Sequence, residues 1–190
     1  MKLSVICPAL LCRDGMSPIL HDIARQAEGK PVELLILADN GAMTIGEKMN
    51  HLYRTARGEW TATVADDDVV KVDYVDSILA ALETNPDVVT FDVDWQSGEK
   101  FMDWKPSTCG LRPLAAVRTS IAREFVAPAW NQSEDRAFWN WLKPHVKTTE
   151  HIPRTLYGYR FRRAKAEYAG RMYRGNNQEL TVGASPAPAQ

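Results

Sequence analysis

The chain has 190 residues, 45% of them hydrophobic and 25% charged, with a formal net charge of −1. That composition excludes a disordered, collagenous or disulfide-scaffold protein and fits one folded domain with a sizeable core. A near-neutral total also argues against a general polyanion binder, although from His151 to Gly175 six arginines and one lysine face a single glutamate.

Leu3 to Cys7 reads as a short apolar strand stopped by Pro8. Ser17 then caps a helix that has Pro18 at its first position and ends at Gly29. Val32 to Ala38 is a continuous aliphatic run, the pattern of a strand buried on both faces. Asp39-Asn40-Gly41 closes it with a polar turn. Thr44 and Glu47 have capping-box spacing and open a helix whose inner face is Ile45, Met49, Leu52, Tyr53 and Ala56. Trp60 to Ala65 is a third strand, and it ends in Asp66-Asp67-Asp68. Asp73 caps a further helix ending before Pro86, and Val88 to Val93 forms a fourth strand. Strand and helix alternate, as in a parallel sheet flanked by helices.

Beyond Val93 this rhythm breaks. Residues 94–118 lack a clear period and read as an irregular insertion beside a site. Helices are expected over Thr119–Phe125 and Ser133–Leu142, followed by two short strands, Lys147–Ile152 and Thr155–Arg160. A basic helix is expected over 163–175, and a low-complexity, disordered tail over 176–190. The three cysteines, Cys7, Cys12 and Cys109, show no CxxC spacing. Neither a zinc site nor a disulfide framework is indicated, and a reducing cytoplasm is the expected compartment.

The chemistry concentrates at strand ends. Three adjacent carboxylates repel one another, and a hard divalent cation clamped to phosphates would relieve that repulsion. Taken alone, the run reads first as a solvated acidic turn. Lys48, near the start of its helix, reads in isolation as a solvated side chain. Glu134 and Asp135 in the first turn of a helix complement its dipole even without a function.

Taken together, the motifs resemble the GT-A glycosyltransferases, specifically the inverting enzymes of glycosyltransferase family 2. The matching pieces are Ser4-Val5-Ile6-Cys7-Pro8, the segment from Glu33 to Gly41, Gly46-Glu47-Lys48-Met49-Asn50, and Ala56-Arg57-Gly58-Glu59-Trp60. Val64-Ala65-Asp66-Asp67-Asp68, Ser133-Glu134-Asp135 and Leu156-Tyr157-Gly158-Tyr159-Arg160 complete the set. The resemblance covers about residues 1–162 and implies a single α/β GT-A domain, Rossmann-like, with a mostly parallel central sheet flanked by helices. It divides the domain into a nucleotide-binding half, 1–93, and an acceptor and catalytic-base half, 94–162.

The resemblance also implies roles. Pro8 and Asp39 would line the nucleotide, with Asp39 bonding the base, and Lys48 would sit near the diphosphate. Asp66 would approach the ribose or metal, Asp68 would ligate Mn²⁺ or Mg²⁺, and Asp67 would be the spacer of the same turn. Asp135, or else Glu134, would take the proton from the acceptor hydroxyl. His151 is a candidate further metal ligand and equally a packing residue, and Trp104 is a candidate sugar-stacking ring. The implied function is transfer of a sugar, hexosyl or pentosyl, from a nucleotide-sugar donor to a surface glycan, a lipid-linked glycan or a modified DNA base.

Two other readings stay open. A nucleotidyltransferase also uses carboxylates and Mg²⁺, but the expected glycine-rich segment is replaced by Pro8-Ala9-Leu10-Leu11-Cys12-Arg13. A non-catalytic binding module would keep the fold and use its basic end. That stretch, 154–174, is either a solvated face, a contact to anionic membrane lipid that would make the protein peripheral to the membrane, or a nucleic-acid contact.

Overall fold

The computed structural model of the protein describes residues 1–11, 18–96, 104–108, 114–131 and 134–159. The expected cap Ser17, the expected helix start Ser133, the basic stretch from Arg160 onward and the 176–190 tail lie outside the described residues.

The elements in chain order are β1 (Leu3–Leu10), α1 (Pro18–Ala27), β2 (Val32–Asp39), α2 (Ile45–Thr55), β3 (Trp60–Thr63), β4 (Val69–Val70) and α3 (Tyr74–Ala81). They are followed by β5 (Val88–Gln96), β6 (Trp104–Thr108), β7 (Ala116–Arg118), α4 (Thr119–Ala122), α5 (Glu134–Leu142) and β8 (Thr149–Tyr159). All eight strands join one sheet in the order β2-β1-β3-β7-β5-β8-β4, with β6 added on β5. The long ladders, β1 with β2 and β5 with β8, are parallel, as is β1 with β3. The short β7 lies antiparallel between β3 and β5, so β1, β2, β3, β5 and β8 all run the same way. Their carboxyl ends therefore share one edge, where α/β sheets usually bind ligands. The α/β fold class expected above holds.

The two faces of the sheet bury separate apolar groups. Leu3, Val5 and Cys7 pack with Ile19, Ile23, Tyr74 and Ile78 of α1 and α3. On the other face Ile6 and Val88 meet Met49, Leu52 and Tyr53 of α2, and Phe138 and Leu142 of α5. The capping box of α2 forms as its spacing predicts, with Thr44 accepting from the Glu47 amide and Glu47 from the Thr44 amide.

Four local expectations change. Pro8 does not stop β1, which pairs with β2 as far as Leu10. Even-numbered residues of β1 turn their backbone groups toward β3, and β3 pairs only as far as Ile6. Pro8 lies two residues beyond the last β1–β3 pair, so the donor it lacks interrupts none of the pairs in that ladder. Second, residues 94–118 are not simply irregular, because they supply β6 and β7 as antiparallel additions to β5. Third, the two C-terminal strands are one, β8, with two register shifts opposite Phe91 to Val93, the first absorbing Pro153 and Arg154 and the second Leu156. Finally, the Asp73 side chain makes no capping bond to α3. It pairs instead with Arg154 of β8 at 2.6 Å.

Candidate functional site

The site is built from chain that continues past the carboxyl ends of the strands. At the end of β1, the Leu10 amide points toward β3 after β3 has stopped, and the Asp66 carboxylate accepts it at 2.9 Å. Asp66 thus stands in for the missing strand and ties the acidic turn to β1. Two residues on, Asp68 is 1% exposed. Its Oδ2 accepts a 2.6 Å hydrogen bond from the Tyr157 hydroxyl, and the same hydroxyl accepts the Ala65 amide at 3.0 Å. Burial, then the Asp68 charge, pushes the Tyr157 phenol well above its usual range, so it stays a donor at ordinary pH. The short β4 continues the turn into a pairing with Gly158 and Tyr157.

At the end of β2, Asp39 organises its own loop. Oδ1 accepts the Gly41 amide at 2.9 Å and Oδ2 accepts the Met43 amide at 2.7 Å. Gly41 takes φ 84°, a conformation that glycine adopts without strain. Lys48 is not the solvated side chain its position suggested. It is 1% exposed, with Nζ 2.5 Å from Asp39 Oδ1 and donating to the Ala9 carbonyl at 2.7 Å. Burial alone would raise the Asp39 pKa, but the Lys48 bond and the two amides outweigh it and hold the carboxyl below its usual range. The ammonium therefore staples β1 to β2 directly beneath the edge.

The start of α2 also carries the opposite wall. The Gly46 amide donates to the Trp130 carbonyl at 3.0 Å, and the Ile45 amide to Asn131 Oδ1 at 3.0 Å. Asn50 and Ala127 exchange two hydrogen bonds, of 2.9 and 2.7 Å. These contacts fix the segment leading into α5, whose first residues are Glu134 and Asp135. Asp135 is exposed. Glu134 is mostly buried, and its Oε2 has no hydrogen-bond partner among the described residues. Burial, with Asp135 adding to it, raises the Glu134 pKa to about 7.

Tyr159, at the end of β8, relates the two acidic groups. Burial, followed by the charges of Asp68, Asp67, Asp135 and Glu134, raises its phenol pKa to about 12. The turn after β3 and the start of α5 thus act on one side chain.

Not every expected residue joins them. His151 lies near the start of β8, seven positions before Gly158, which at strand rise is roughly 20 Å from the acidic turn. Its Nδ1 is 2.9 Å from Thr90 Oγ1 and its Nε2 is 3.5 Å from Asp92. The structure does not bring it to the aspartates, because parallel pairing with β5 puts the start of β8 at the amino edge. Pro8 stays in the β1 ladder, partly buried, opposite Leu37. Trp104 belongs to β6, but its side chain lies outside the described residues, as does Cys109. Sequence reasoning placed Tyr157 and Tyr159 in a matching C-terminal strand segment but gave neither a role at the site.

No group of three or more metal-ligating side chains occurs among the described residues. No helix among them is long and apolar enough to cross a membrane.

No protein-family model and no curated protein sequence matches the chain. Solved structures do. S. aureus TarS 1–349, in complex with UDP-GlcNAc, superposes with TM-score 0.68 at 14% identity, covering 96% of this chain and 69% of that one. The fold is that of GT-A-like nucleotide-sugar transferases. Glucosyl-3-phosphoglycerate synthase from Mycobacterium tuberculosis, in complex with Mn²⁺, UDP and phosphoglyceric acid, superposes with TM-score 0.58 at 11% identity, over 90% of this chain and 74% of that one. CMP:2-keto-3-deoxy-manno-octonic acid synthetase complexed with CTP gives 0.53 at 10% identity, over 85% and 93%. The chain spans only 41% of a longer TarS chain.

Proposed function

We infer that the protein is a glycosyltransferase that uses a nucleotide-sugar donor, depends on a divalent cation and inverts the anomeric centre. The observation that carries this reading is geometric: at the carboxyl edge Asp66 is held by the Leu10 amide and Asp68 by the Tyr157 hydroxyl, with Asp39 ordering the loop at the end of β2. A diphosphate-binding group and a proton acceptor must face each other across the reacting sugar, and the two acidic segments of this chain supply both.

The donor set fits a hard cation. Mg²⁺ and Mn²⁺ favour oxygen ligands, and Mg²⁺ is commonly held by one or two carboxylates plus substrate phosphates rather than by an all-protein cage. Asp68 and Asp66 are the carboxylates that would hold it, with substrate phosphates and water completing the shell. Bound there, the cation would offset charge developing on the nucleoside diphosphate as it leaves. Asp39 and Pro8 line the nucleotide side. Lys48 acts through Asp39, setting the floor of that side instead of reaching the diphosphate. Asp135, exposed at the start of α5, accepts the proton of the acceptor hydroxyl on the face opposite the nucleotide. Attack from that face inverts the centre.

The test is incubation of the purified protein with Mn²⁺ and a panel of nucleotide sugars. Release of nucleoside diphosphate that Asp68→Ala and Asp135→Asn both abolish is the expected result. Pyrophosphate as product would instead select the nucleotidyltransferase reading, which the likeness to the CTP-bound synthetase keeps in view. Turnover unaffected by either substitution would sink the site assignment.

A further inference from the structure

We propose that Tyr157 is the positioning residue that sets cation affinity at the acidic turn, an inference that rests on the glycosyltransferase reading above. One buried oxygen performs two tasks. The Tyr157 hydroxyl donates to Asp68 Oδ2 at 2.6 Å and accepts from the Ala65 amide at 3.0 Å. The first bond fixes which way the carboxylate faces. The second fixes the backbone that carries the carboxylate, three residues earlier. Both partners are therefore held by a side chain from another part of the chain, 89 positions away for Asp68.

Tyr157 is itself immobile. It is fully buried, its ring lies 6.4 Å from that of Tyr74, and its backbone is paired with Val93 on one side and Val70 on the other. The last pairing matters because Val70 follows the acidic turn by two residues. Tyr157 thus grips the turn before it, within it and after it, through Ala65, Asp68 and Val70. A carboxylate held in this way needs no reorientation when a cation arrives. Outer-shell hydrogen bonds of this kind are typically worth 10- to 100-fold in metal affinity or activity.

Tyr157→Phe removes the hydroxyl and keeps the ring in the core. The experiment is a titration of Mn²⁺ followed by the electron paramagnetic resonance of the free ion, with UDP saturating. The wild-type protein should bind Mn²⁺ in a UDP-dependent manner, and Tyr157→Phe should raise the midpoint by about 10-fold or more. Ile78→Val, a change in the same apolar cluster, should leave the midpoint where it was while lowering the melting temperature. If Tyr157→Phe only lowers the melting temperature and binds Mn²⁺ as the wild type does, Tyr157 is a core residue and the inference is overturned. If the wild type shows no Mn²⁺ binding that depends on UDP or on any other nucleoside diphosphate of a panel, the reading of function fails first and takes the inference with it. Should Tyr157→Phe fail to fold, hydrogen exchange of the wild type decides the matter. Mn²⁺ with UDP should slow exchange of the Ala65 amide, and unchanged exchange there would contradict the proposal.

Discussion

The ammonium of Lys48 sits 2.5 Å from Asp39 Oδ1 while donating to the Ala9 carbonyl, so one buried cation joins the ends of β1 and β2. A charge removed from water in this way is tolerated because its partners are fixed. Removing it strands a carboxylate and a carbonyl. Lys48→Met should therefore cost on the order of 3 kcal/mol in urea unfolding. Asp39→Asn should cost less than Lys48→Met, since the amide can still accept one of the two loop amides. A Lys48→Met variant as stable as the wild type would show that the ammonium is solvated after all.

Gly46 should not tolerate a side chain. A Cβ there would come within 1.8 Å of the Pro128 carbonyl oxygen, a backbone atom that cannot step aside cheaply. Gly46→Ala should destabilise the fold by about 1–3 kcal/mol. Because Pro128 precedes Glu134 and Asp135, turnover should fall further than the loss of folded protein explains. Circular dichroism melts and kcat measured on the same sample separate the two effects.

Glu134 makes stability depend on pH. Its carboxyl rises from 4.5 to about 7 on folding, mainly through burial. The folded state thus prefers the protonated form. The associated stability is complete below about pH 4.5 and is lost as pH climbs through 7. Glu134→Gln should remove that dependence. At pH 8 it should be more stable than the wild type by an amount on the order of 3 kcal/mol, and at pH 4.5 the two should differ little. Parallel pH profiles of melting temperature for the two proteins would contradict this.

Much of the edge was legible in the sequence, because local chemistry dictates local structure. The capping box at Thr44 and Glu47 forms as spaced, and Asp39 and the three aspartates fall at strand ends, as expected for runs stopped by polar residues. What escaped was set by partners far along the chain. Pro8 reads as a strand stop unless β3 is known to end at its flank. Lys48 reads as solvated unless Asp39 and Ala9 are known to converge on it. β7 inserts between β3 and β5 on the strength of three residues, Ala116 to Arg118, too few to carry a period. Tyr157 could not be assigned at all, since its role depends on Asp68.

His151 supplies a negative test. Its ring is engaged by Thr90 and Asp92 at the amino edge. His151→Ala should shift the Mn²⁺ dependence of UDP binding by less than twofold, an order-of-magnitude bound for a site with no direct contact. A tenfold shift would return the histidine to the metal site.

The central claim is that the acidic turn holds a nucleoside diphosphate through a divalent cation. Calorimetric titration of UDP into the wild-type protein and into Asp68→Ala, each with Mn²⁺ and again with EDTA, tests it directly. The account predicts binding to the wild type with Mn²⁺, and at least a tenfold weakening by either EDTA or the substitution, about 1.4 kcal/mol. Equal affinity in all four titrations would contradict it.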